Sequence, residues 1–212
     1  MKPILPLRDR KKAKLRQALS DASLRLFLHK GYSATTLEEI SAECDVTVQT
    51  LLRYFGSKED LLFARQAEIV AHCERGLMEA AANKAVISYW LHFFLSSAHT
   101  VVVNPEVLNT YKIIESVPAL LAKFYTIALQ YQTLLERALC IELGVEPGED
   151  RHSLLLSYAL VFGPLEEALR AIARGDGSSI ARRVDTSMKY VLDNFKRPAE
   201  AKKTSARAKN YA

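Results

Sequence analysis

The amino-acid sequence predicts an all-α protein, in which an N-terminal three-helix domain with a helix-turn-helix is followed by a larger helical bundle. Three observations support this fold class. The 212-residue chain has only 8 Gly and 7 Pro, and 49% of its residues are hydrophobic, which is ordinary for a globular protein. Apolar residues recur at helical spacing along the chain. Capping residues mark the starts of several short helices near the N-terminus.

The first two helices are predicted from a periodic segment and a capping box. Helix one covers about residues 10–30, and Gly31 is well placed just past its end. Helix two covers Leu37–Cys44, because Thr36 can cap it and Glu39 can reach back to the cap. The apolar face of helix one consists of Leu15, Leu19, Ala22 and Leu26.

A third, short helix is predicted over Val48–Phe55, capped by Thr47 and ended by Gly56. Asp45 falls where the chain must turn sharply, and Asp tolerates a left-handed backbone better than most residues. Ser57 caps a fourth helix that we expect to run to about residue 82.

The rest of the sequence predicts longer helices, separated by loops with Asn-Pro, Ser-Val-Pro and Gly signals. They cover about residues 84–103, 105–115, 118–143, 151–174 and 180–195. The domain organisation follows: a flexible basic arm (1–9), a helix-turn-helix DNA-binding domain (10–56), an effector-binding and dimerisation domain (57–196), and a disordered basic tail (197–212).

The positive net charge of +5 is concentrated at the two ends of the chain. Residues 1–16 carry seven Lys or Arg and one Asp, and residues 196–212 carry six Lys or Arg and one Glu. Basic terminal arms attract nucleic acid or anionic membranes. For the C-terminal tail, a purely solubilising role is an equal alternative.

Cysteine spacing and hydropathy predict a cytoplasmic protein without a membrane partner. Cys44, Cys73 and Cys140 lie far apart, with no disulfide framework, and the N-terminus lacks the apolar run of a secretion signal. Residues 85–105 are uncharged and long enough to cross a bilayer. However, they include two His, three Ser, a Thr and an Asn, which favours a buried helix.

The faces of helix three indicate DNA recognition. Leu51 and Phe55 are four residues apart and can pack on the small core, which leaves Val48, Gln49, Leu52 and Arg53 pointing away. Apolar side chains can meet thymine methyls in the major groove, while Gln and Arg donate to base edges or phosphates. Lys58, the three capped helix starts, and an arm at residues 8–16 can bind the DNA backbone.

This segment resembles the TetR family of bacterial transcriptional regulators over about residues 12–62. The residues that carry the resemblance are Gly31-Tyr32, Thr35-Thr36, Ile40-Ser41, Val46-Thr47, Thr50-Leu51, Tyr54-Phe55 and Lys58-Glu59-Asp60-Leu61. Two positions depart from the family pattern. Asp45 replaces the usual Gly of the turn, and Leu52 replaces an aromatic residue that contacts DNA in the family.

The resemblance implies an all-helical homodimer that binds double-stranded operator DNA through its N-terminal domain and a small effector through its C-terminal domain. Together with the face assignment, it predicts DNA contacts by Thr36, Thr47, Val48, Gln49, Thr50, Leu52, Arg53, Tyr54 and Lys58. Some of these residues have a plainer alternative. Tyr54 can be a core aromatic, Arg53 can be solvated, and Thr47 is a helix cap in either case.

Large side chains in the uncharged helices predict a pocket for an apolar or amphipathic effector. We expect it to be lined by residues among Trp90, Phe93, Phe94, His99, Tyr111, Phe124, Tyr158 and Phe162, although core packing is the alternative for each aromatic. His92 and His99 share a helix face, but a metal site would need a further ligand. We therefore predict no metal and no cofactor.

The last two helices carry apolar stripes suited to a four-helix dimer interface. The predicted interface consists of Leu155, Phe162, Leu165, Leu169, Val184, Met188 and Val191. Packing within one chain is the competing interpretation of the same stripe.

Taken together, these features predict a DNA-binding transcriptional regulator. We expect it to be a repressor that a small, mostly apolar effector releases from a palindromic operator. No acid–base pair or nucleophile–His set stands out, so we do not expect an enzyme. The alternatives are a small helical enzyme acting on a hydrophobic substrate and a DNA-binding regulator without a ligand.

Overall fold

The computed structural model describes residues 6–195, and within them it contains ten α-helices, one short 3₁₀ helix and no β-strand. The predicted all-α fold is confirmed. The helices are α1 (Leu7–Lys30), α2 (Leu37–Glu43), α3 (Val48–Phe55), α4 (Lys58–Leu62), α5 (Gln66–Ala82), α6 (Val86–Val103), α7 (Pro105–Ser116), α8 (Pro118–Leu143), α9 (Arg151–Ala173) and α10 (Ile180–Asn194). The 3₁₀ helix covers Gly177–Ser179.

The start of α1 differs from its predicted position. The helix begins at Leu7 rather than at residue 10, and the Arg10 N–H donates to the Pro6 carbonyl at 3.0 Å. The end of the predicted flexible arm is therefore helical from residue 7 onward. Residues 1–5 of that arm, and the predicted basic tail at 197–212, lie outside the described residues.

The single helix predicted from residue 57 to about 82 was wrong, because the chain turns between α4 and α5. Phe63 and Ala64 pack against a buried core, and the Ala64 carbonyl accepts a hydrogen bond from the Arg16 guanidinium at 3.3 Å. The backbone bonds at the break span three residues, since the Ala64 N–H donates to the Leu61 carbonyl at 3.3 Å and the Gln66 N–H donates to the Phe63 carbonyl at 2.9 Å.

The chain divides into two compact units, and the first is built around the helix-turn-helix. This unit ends at His72 and also includes Asn104–Thr126. Leu120, near the start of α8, is fully buried in its core. The division therefore differs from the boundary predicted at residue 56. The other buried members of that core are Leu19, Phe27, Tyr32, Ile40, Leu51, Phe55 and Leu61.

The second unit comprises Cys73–Val103 and the chain from Ile127 onward. In it α10 packs against α9 and α6. The Trp90 indole N–H donates to the Leu160 carbonyl at 3.2 Å, which satisfies the one polar atom of this fully buried side chain. Pro164 lies inside α9, which continues through it.

Within the described residues, α6 is long and apolar enough to cross a membrane. Helices α7 and α8 reach that length and apolarity only when they are counted together as one span, and the chain bends by 107° between them. One face of α6 is buried in the second unit, through Val86, Trp90, Ala98 and Val101. The predicted buried helix is thus buried along one face only.

Candidate nucleic-acid interface

The helix-turn-helix is set by two side-chain caps, as the sequence predicts. The Thr36 hydroxyl accepts from the Glu39 N–H at 3.2 Å, and the Thr36 N–H donates to the Glu39 carboxylate at 2.8 Å, which completes a capping box on α2. An ion pair with Lys30 is the main cause that lowers the pKa of Glu39. Thr47 caps α3 by accepting from the Thr50 N–H at 3.1 Å.

The turn between α2 and α3 has a left-handed residue at the predicted position. Asp45 has a φ of 52°, in the region that Asp enters more readily than most residues. The Val46 N–H donates back to the Ser41 carbonyl at 3.0 Å. The chain therefore makes the sharp turn without the glycine that is usual in the family.

The two faces of α3 separate as predicted for most residues. Leu51 and Phe55 are buried in the first unit's core. Gln49 and Arg53 are exposed, whereas Val48 and Thr50 are half-buried. The Thr47 hydroxyl, on the exposed cap, donates to the Thr50 hydroxyl at 3.1 Å. Gln49 and Arg53 are thus the long polar side chains that α3 exposes on its surface.

The expectation that Leu52 points away from the core was wrong. Leu52 is half-buried and packs against the first unit's core, as does Tyr54. On a helix that advances by about 100° per residue, Leu52 lies beside the face of Leu51 and Phe55, so it extends that face. The core alternative for Tyr54 therefore has structural support, and a hydroxyl contact with DNA stays a prediction.

Lys58 makes its main contacts within its own fold. Its ammonium donates to the Tyr32 carbonyl at 2.5 Å and lies 4.3 Å from the Tyr32 ring centroid. Burial lowers the pKa of Lys58. A phosphate contact by this residue stays a prediction, and it would have to use the donors that Tyr32 leaves available.

Arg16 joins α1 to the end of α3 and does not project as part of a DNA-binding arm. Its guanidinium donates to the Tyr54 carbonyl at 2.8 Å and lies 4.4 Å from the Phe55 ring centroid. The Ala64 carbonyl accepts its second hydrogen bond. These contacts involve the last turn of α3, where helix carbonyls lack partners of their own.

A groove of about 750 Å³ lies between the first turns of α1 and the end of α3. Arg8, Lys11 and Lys12 recur at helical spacing along it, and all three belong to the segment 8–16 for which contacts with the DNA backbone are predicted. The groove is lined by Leu7, Arg8, Lys11, Lys12, Leu15, Arg53 and Tyr54.

The start of α4 is linked to α8. The Ser57 hydroxyl accepts from the Asp60 N–H at 3.1 Å and donates to the Asp60 carboxylate at 2.9 Å. That carboxylate also pairs with Lys123. Burial alone would raise the pKa of Asp60, but the hydrogen bonds from Lys123 and Ser57 lower it.

The eight residues predicted to line an effector pocket fall into separate groups. Trp90, Phe93 and Phe94 belong to an aromatic cluster with Tyr131 in the second unit, where the Trp90 ring centroid lies 5.6 Å from that of Phe94. Trp90 is fully buried and serves as core.

The other predicted pocket residues lie elsewhere. Tyr111 and Phe124 belong to the first unit and pack edge to face, with ring centroids 5.5 Å apart. Tyr158 and Phe162 pack on each other along α9 at 4.4 Å, and His99 is exposed. Among residues 6–195, no three His, Cys, Asp or Glu side chains are grouped so that they could hold a metal ion.

The predicted dimer residues divide sharply by burial. Val184 and Met188 are both 0% exposed and pack inside the chain, so their place in the predicted interface was wrong. Leu165, Leu169 and Val191 are also buried, because α9, α10 and α6 pack together in the second unit. Leu155 is exposed and Phe162 is half-buried. Leu154 and Tyr158, which belong to the same apolar stripe, are exposed as well.

Residues 19–64 match a family model described as "Bacterial regulatory proteins, tetR family". The chain is 42% identical over 55 residues to the HTH-type transcriptional regulator TcmR of Streptomyces glaucescens, covering 26% of this chain and 24% of TcmR. It is 39% identical over 49 residues to the uncharacterized HTH-type transcriptional regulator YerO of Bacillus subtilis (strain 168), covering 23% of this chain and 17% of YerO. The matches thus span a quarter or less of these relatives.

Solved structures share the fold over most of the chain at low sequence identity. SmeT, the repressor of the Stenotrophomonas maltophilia multidrug efflux pump SmeDEF, has a TM-score of 0.64 at 17% identity, covering 87% of this chain and 94% of SmeT. Thermus thermophilus FadR in complex with lauroyl-CoA has a TM-score of 0.62 at 19% identity, covering 86% and 96%. The helix-turn-helix segment at residues 19–64 is therefore similar to the TetR family of bacterial regulatory proteins, and most of the chain shares its fold with these solved structures.

Proposed function

We propose that this chain is a transcriptional repressor that binds a palindromic operator and releases it when a small, mostly apolar effector binds. The observation that carries the proposal is the short, capped helix α3, which buries Leu51 and Phe55 and presents Gln49 and Arg53. At about 1.5 Å per residue, α3 is roughly 12 Å long, which suits a major groove about 12 Å wide.

In this proposal, each predicted contact has a chemical role. The Gln49 amide can both donate and accept, as recognition of an adenine edge requires. The half-buried Val48 offers apolar contact to a thymine methyl, and the capped helix starts at Thr36 and Thr47 direct N–H groups toward phosphates. We assign Gln49 to base reading and the two threonines to positioning on the backbone.

Selection of bound duplexes from a random pool tests the proposal, and a two-fold symmetric consensus is expected from a dimeric reader. Replacing Gln49 by Ala should then change the preferred bases at one or two positions of each half-site. The discrimination lost there should be about 1–3 kcal/mol, because a bidentate base contact disappears. Competition binding with operators changed at single positions measures it.

Gln17→Ala is the matched control, since Gln17 is also exposed but lies on α1, where it donates to Asp21. It should leave the consensus unchanged. If Gln49→Ala keeps the wild-type operator discrimination, Gln49 does not read bases.

We further propose a homodimer that forms through the exposed stripe of α9. Leu154, Leu155 and Tyr158 are 40%, 52% and 51% exposed, and with Phe162 they lie within about 100° of one another around the helix. An apolar stripe of this kind on a folded surface is typical of a protein interface. This narrower set replaces the seven residues predicted from sequence.

Replacing both Leu155 and Tyr158 by Glu is expected to give monomers, because two carboxylates per chain would be buried opposite their symmetry copies. Sedimentation velocity measures the change, and circular dichroism checks that the helices remain. Ile69→Glu is a control, since Ile69 is another exposed apolar residue, on α5. Unchanged dimerisation in the double variant would exclude this face.

The proposed effector site lies in the second unit, near the half-buried residues Phe93, Phe94 and Tyr131. The related fold of SmeT has been solved with triclosan and that of FadR with lauroyl-CoA, which motivates both compounds as first probes. A true effector should raise the melting temperature by mass action. It should also release the selected operator. A compound that stabilises the protein without weakening DNA binding would not fit this proposal.

A further inference from the structure

We infer that the groove between α1 and α3 binds phosphates of the DNA strand beside the bases that α3 reads, and that Arg53 belongs to this backbone site rather than to the base-reading surface. The inference rests on the proposed function. It assigns a site to Arg8, Lys11, Lys12 and Arg53, and it places the predicted DNA-binding arm at residues 8–16 on the preformed helix α1.

The geometry of the groove brings cations from two helices together. Arg8, Lys11, Lys12 and Leu15 are spaced by 0, 3, 4 and 7 residues, so they share one face of α1. Arg53 and Tyr54, from the last turn of α3, also line the groove. Positive side chains from separate elements therefore surround a single space.

The charge of the groove is uncompensated within the part of the chain that the structure describes. Arg8, Lys11, Lys12 and Arg53 are exposed, and no ion pair is recorded for any of them with residues 6–195. Asp9, the one acidic residue among the first sixteen, does not line the groove. Like charges placed around one space repel one another, and an anion between them removes that repulsion.

The position of the groove identifies the anion as DNA backbone. Arg53 lies on the same short helix as the exposed Gln49, four residues further along. A duplex that places base edges against Gln49 therefore brings its adjacent sugar–phosphate strand to the end of α3. Leu7 and Leu15 supply apolar surface that suits deoxyribose, and phosphate contacts of this kind set the orientation of a reader on the duplex.

The walls of the groove are held before DNA arrives. Arg16 does not line the groove, but its bond to the Tyr54 carbonyl fixes α1 against the last turn of α3. Cations on a fixed helix lose less conformational freedom on binding than cations on a flexible arm. The site is thus built into the fold of the first unit.

The test compares two double variants of the full chain that remove the same charge from different faces of α1. Lys11→Ala with Lys12→Ala removes two cations from the groove, whereas Arg10→Ala with Lys14→Ala removes two exposed cations that do not line the groove and point on average about 130° away around the helix. The probe is the duplex selected by the wild-type protein, with a random-sequence duplex of equal length beside it. Binding is measured from about 0.05 to 0.2 M salt.

We expect the groove variant to bind both duplexes about tenfold or more weakly at 0.15 M salt, and to lower the salt slope by about 1.8 per bound protomer. The variant with Arg10→Ala and Lys14→Ala should stay within about twofold of the wild type. Arg53→Ala should resemble the groove variant, with a uniform loss and an unchanged base preference.

Three outcomes would overturn the inference. Equal losses in the two double variants would mean that only net charge matters. A changed base preference in Arg53→Ala would place Arg53 among the base readers. Binding to phosphatidylglycerol vesicles that is lost only in the groove variant, with DNA affinity unchanged, would assign the groove to a membrane. Failure of the wild-type protein to bind any duplex would instead refute the proposed function.

Discussion

Gly76→Ala is expected to lower the free energy of unfolding by about 2–3 kcal/mol, because α5 and the Tyr89 ring leave no space for a side chain. A Cβ at Gly76 would lie 2.1 Å from the Tyr89 hydroxyl oxygen and 2.2 and 2.3 Å from two ring carbons. The ring cannot easily move away, since it is stacked near Phe93 with centroids 6.2 Å apart and its hydroxyl is buried. This cost outweighs the roughly 1 kcal/mol by which alanine favours a helix over glycine.

A double-mutant cycle tests the cause of this loss. With Tyr89→Ala in place, the obstacle is gone, so Gly76→Ala should become neutral or stabilising by up to about 1 kcal/mol. Gly163→Ala is the matched control, since a Cβ there would meet only the Ser187 hydroxyl, at 3.3 Å. Urea unfolding followed by circular dichroism measures the four proteins of the cycle and the Gly163→Ala control. An equal cost of Gly76→Ala with and without Tyr89 would contradict the steric explanation.

Arg16→Ala is expected to destabilise the first unit by about 2 kcal/mol, because its guanidinium donates hydrogen bonds to two carbonyls and makes a cation–π contact with an aromatic ring. The change leaves the half-buried carbonyls of Tyr54 and Ala64 without this donor and removes the cation from the Phe55 ring. Amide hydrogen exchange of α3, together with urea unfolding of the full chain, measures the effect. DNA affinity should fall too, although Arg16 lines no part of the groove.

Two variants separate the role of Arg16 from a simple loss of charge. Arg10→Ala removes an exposed guanidinium from the same helix and should change stability by less than about 0.5 kcal/mol. Arg16→Lys keeps the charge but lacks the fork that reaches two acceptors, so its stability should lie between that of Arg16→Ala and the wild type. If Arg16→Ala unfolds at the wild-type urea concentration, Arg16 does not hold α1 to α3.

Local sequence signals were sufficient to predict those structural features that depend only on neighbouring residues. Thr36 and Thr47 are caps, Asp45 is left-handed, and α3 covers Val48–Phe55, all as predicted. Each of these features depends on residues within a few positions in the chain, so a single sequence contains the information. The four-residue spacing of Leu51 and Phe55 likewise identifies the buried face.

Features that depend on distant partners could not be predicted in the same way. The break between α4 and α5 lies where the Ala64 carbonyl accepts a hydrogen bond from Arg16, 48 residues earlier, and where Phe63 and Ala64 pack on the first unit's core. The apolar stripes of α9 and α10 also look alike in sequence, yet Met188 is buried in its own chain and Leu155 is exposed. Periodicity indicates that a face is covered, but it does not indicate which chain covers it.

The burial of Leu120 in the first unit has a consequence for the order of events during synthesis. The first unit draws part of its core from Asn104–Thr126, after the first helices of the other unit. Domains that are continuous in sequence can fold in turn as they leave the ribosome. Here the nascent chain must extend well beyond α3 before the hydrophobic interior that supports that helix is complete.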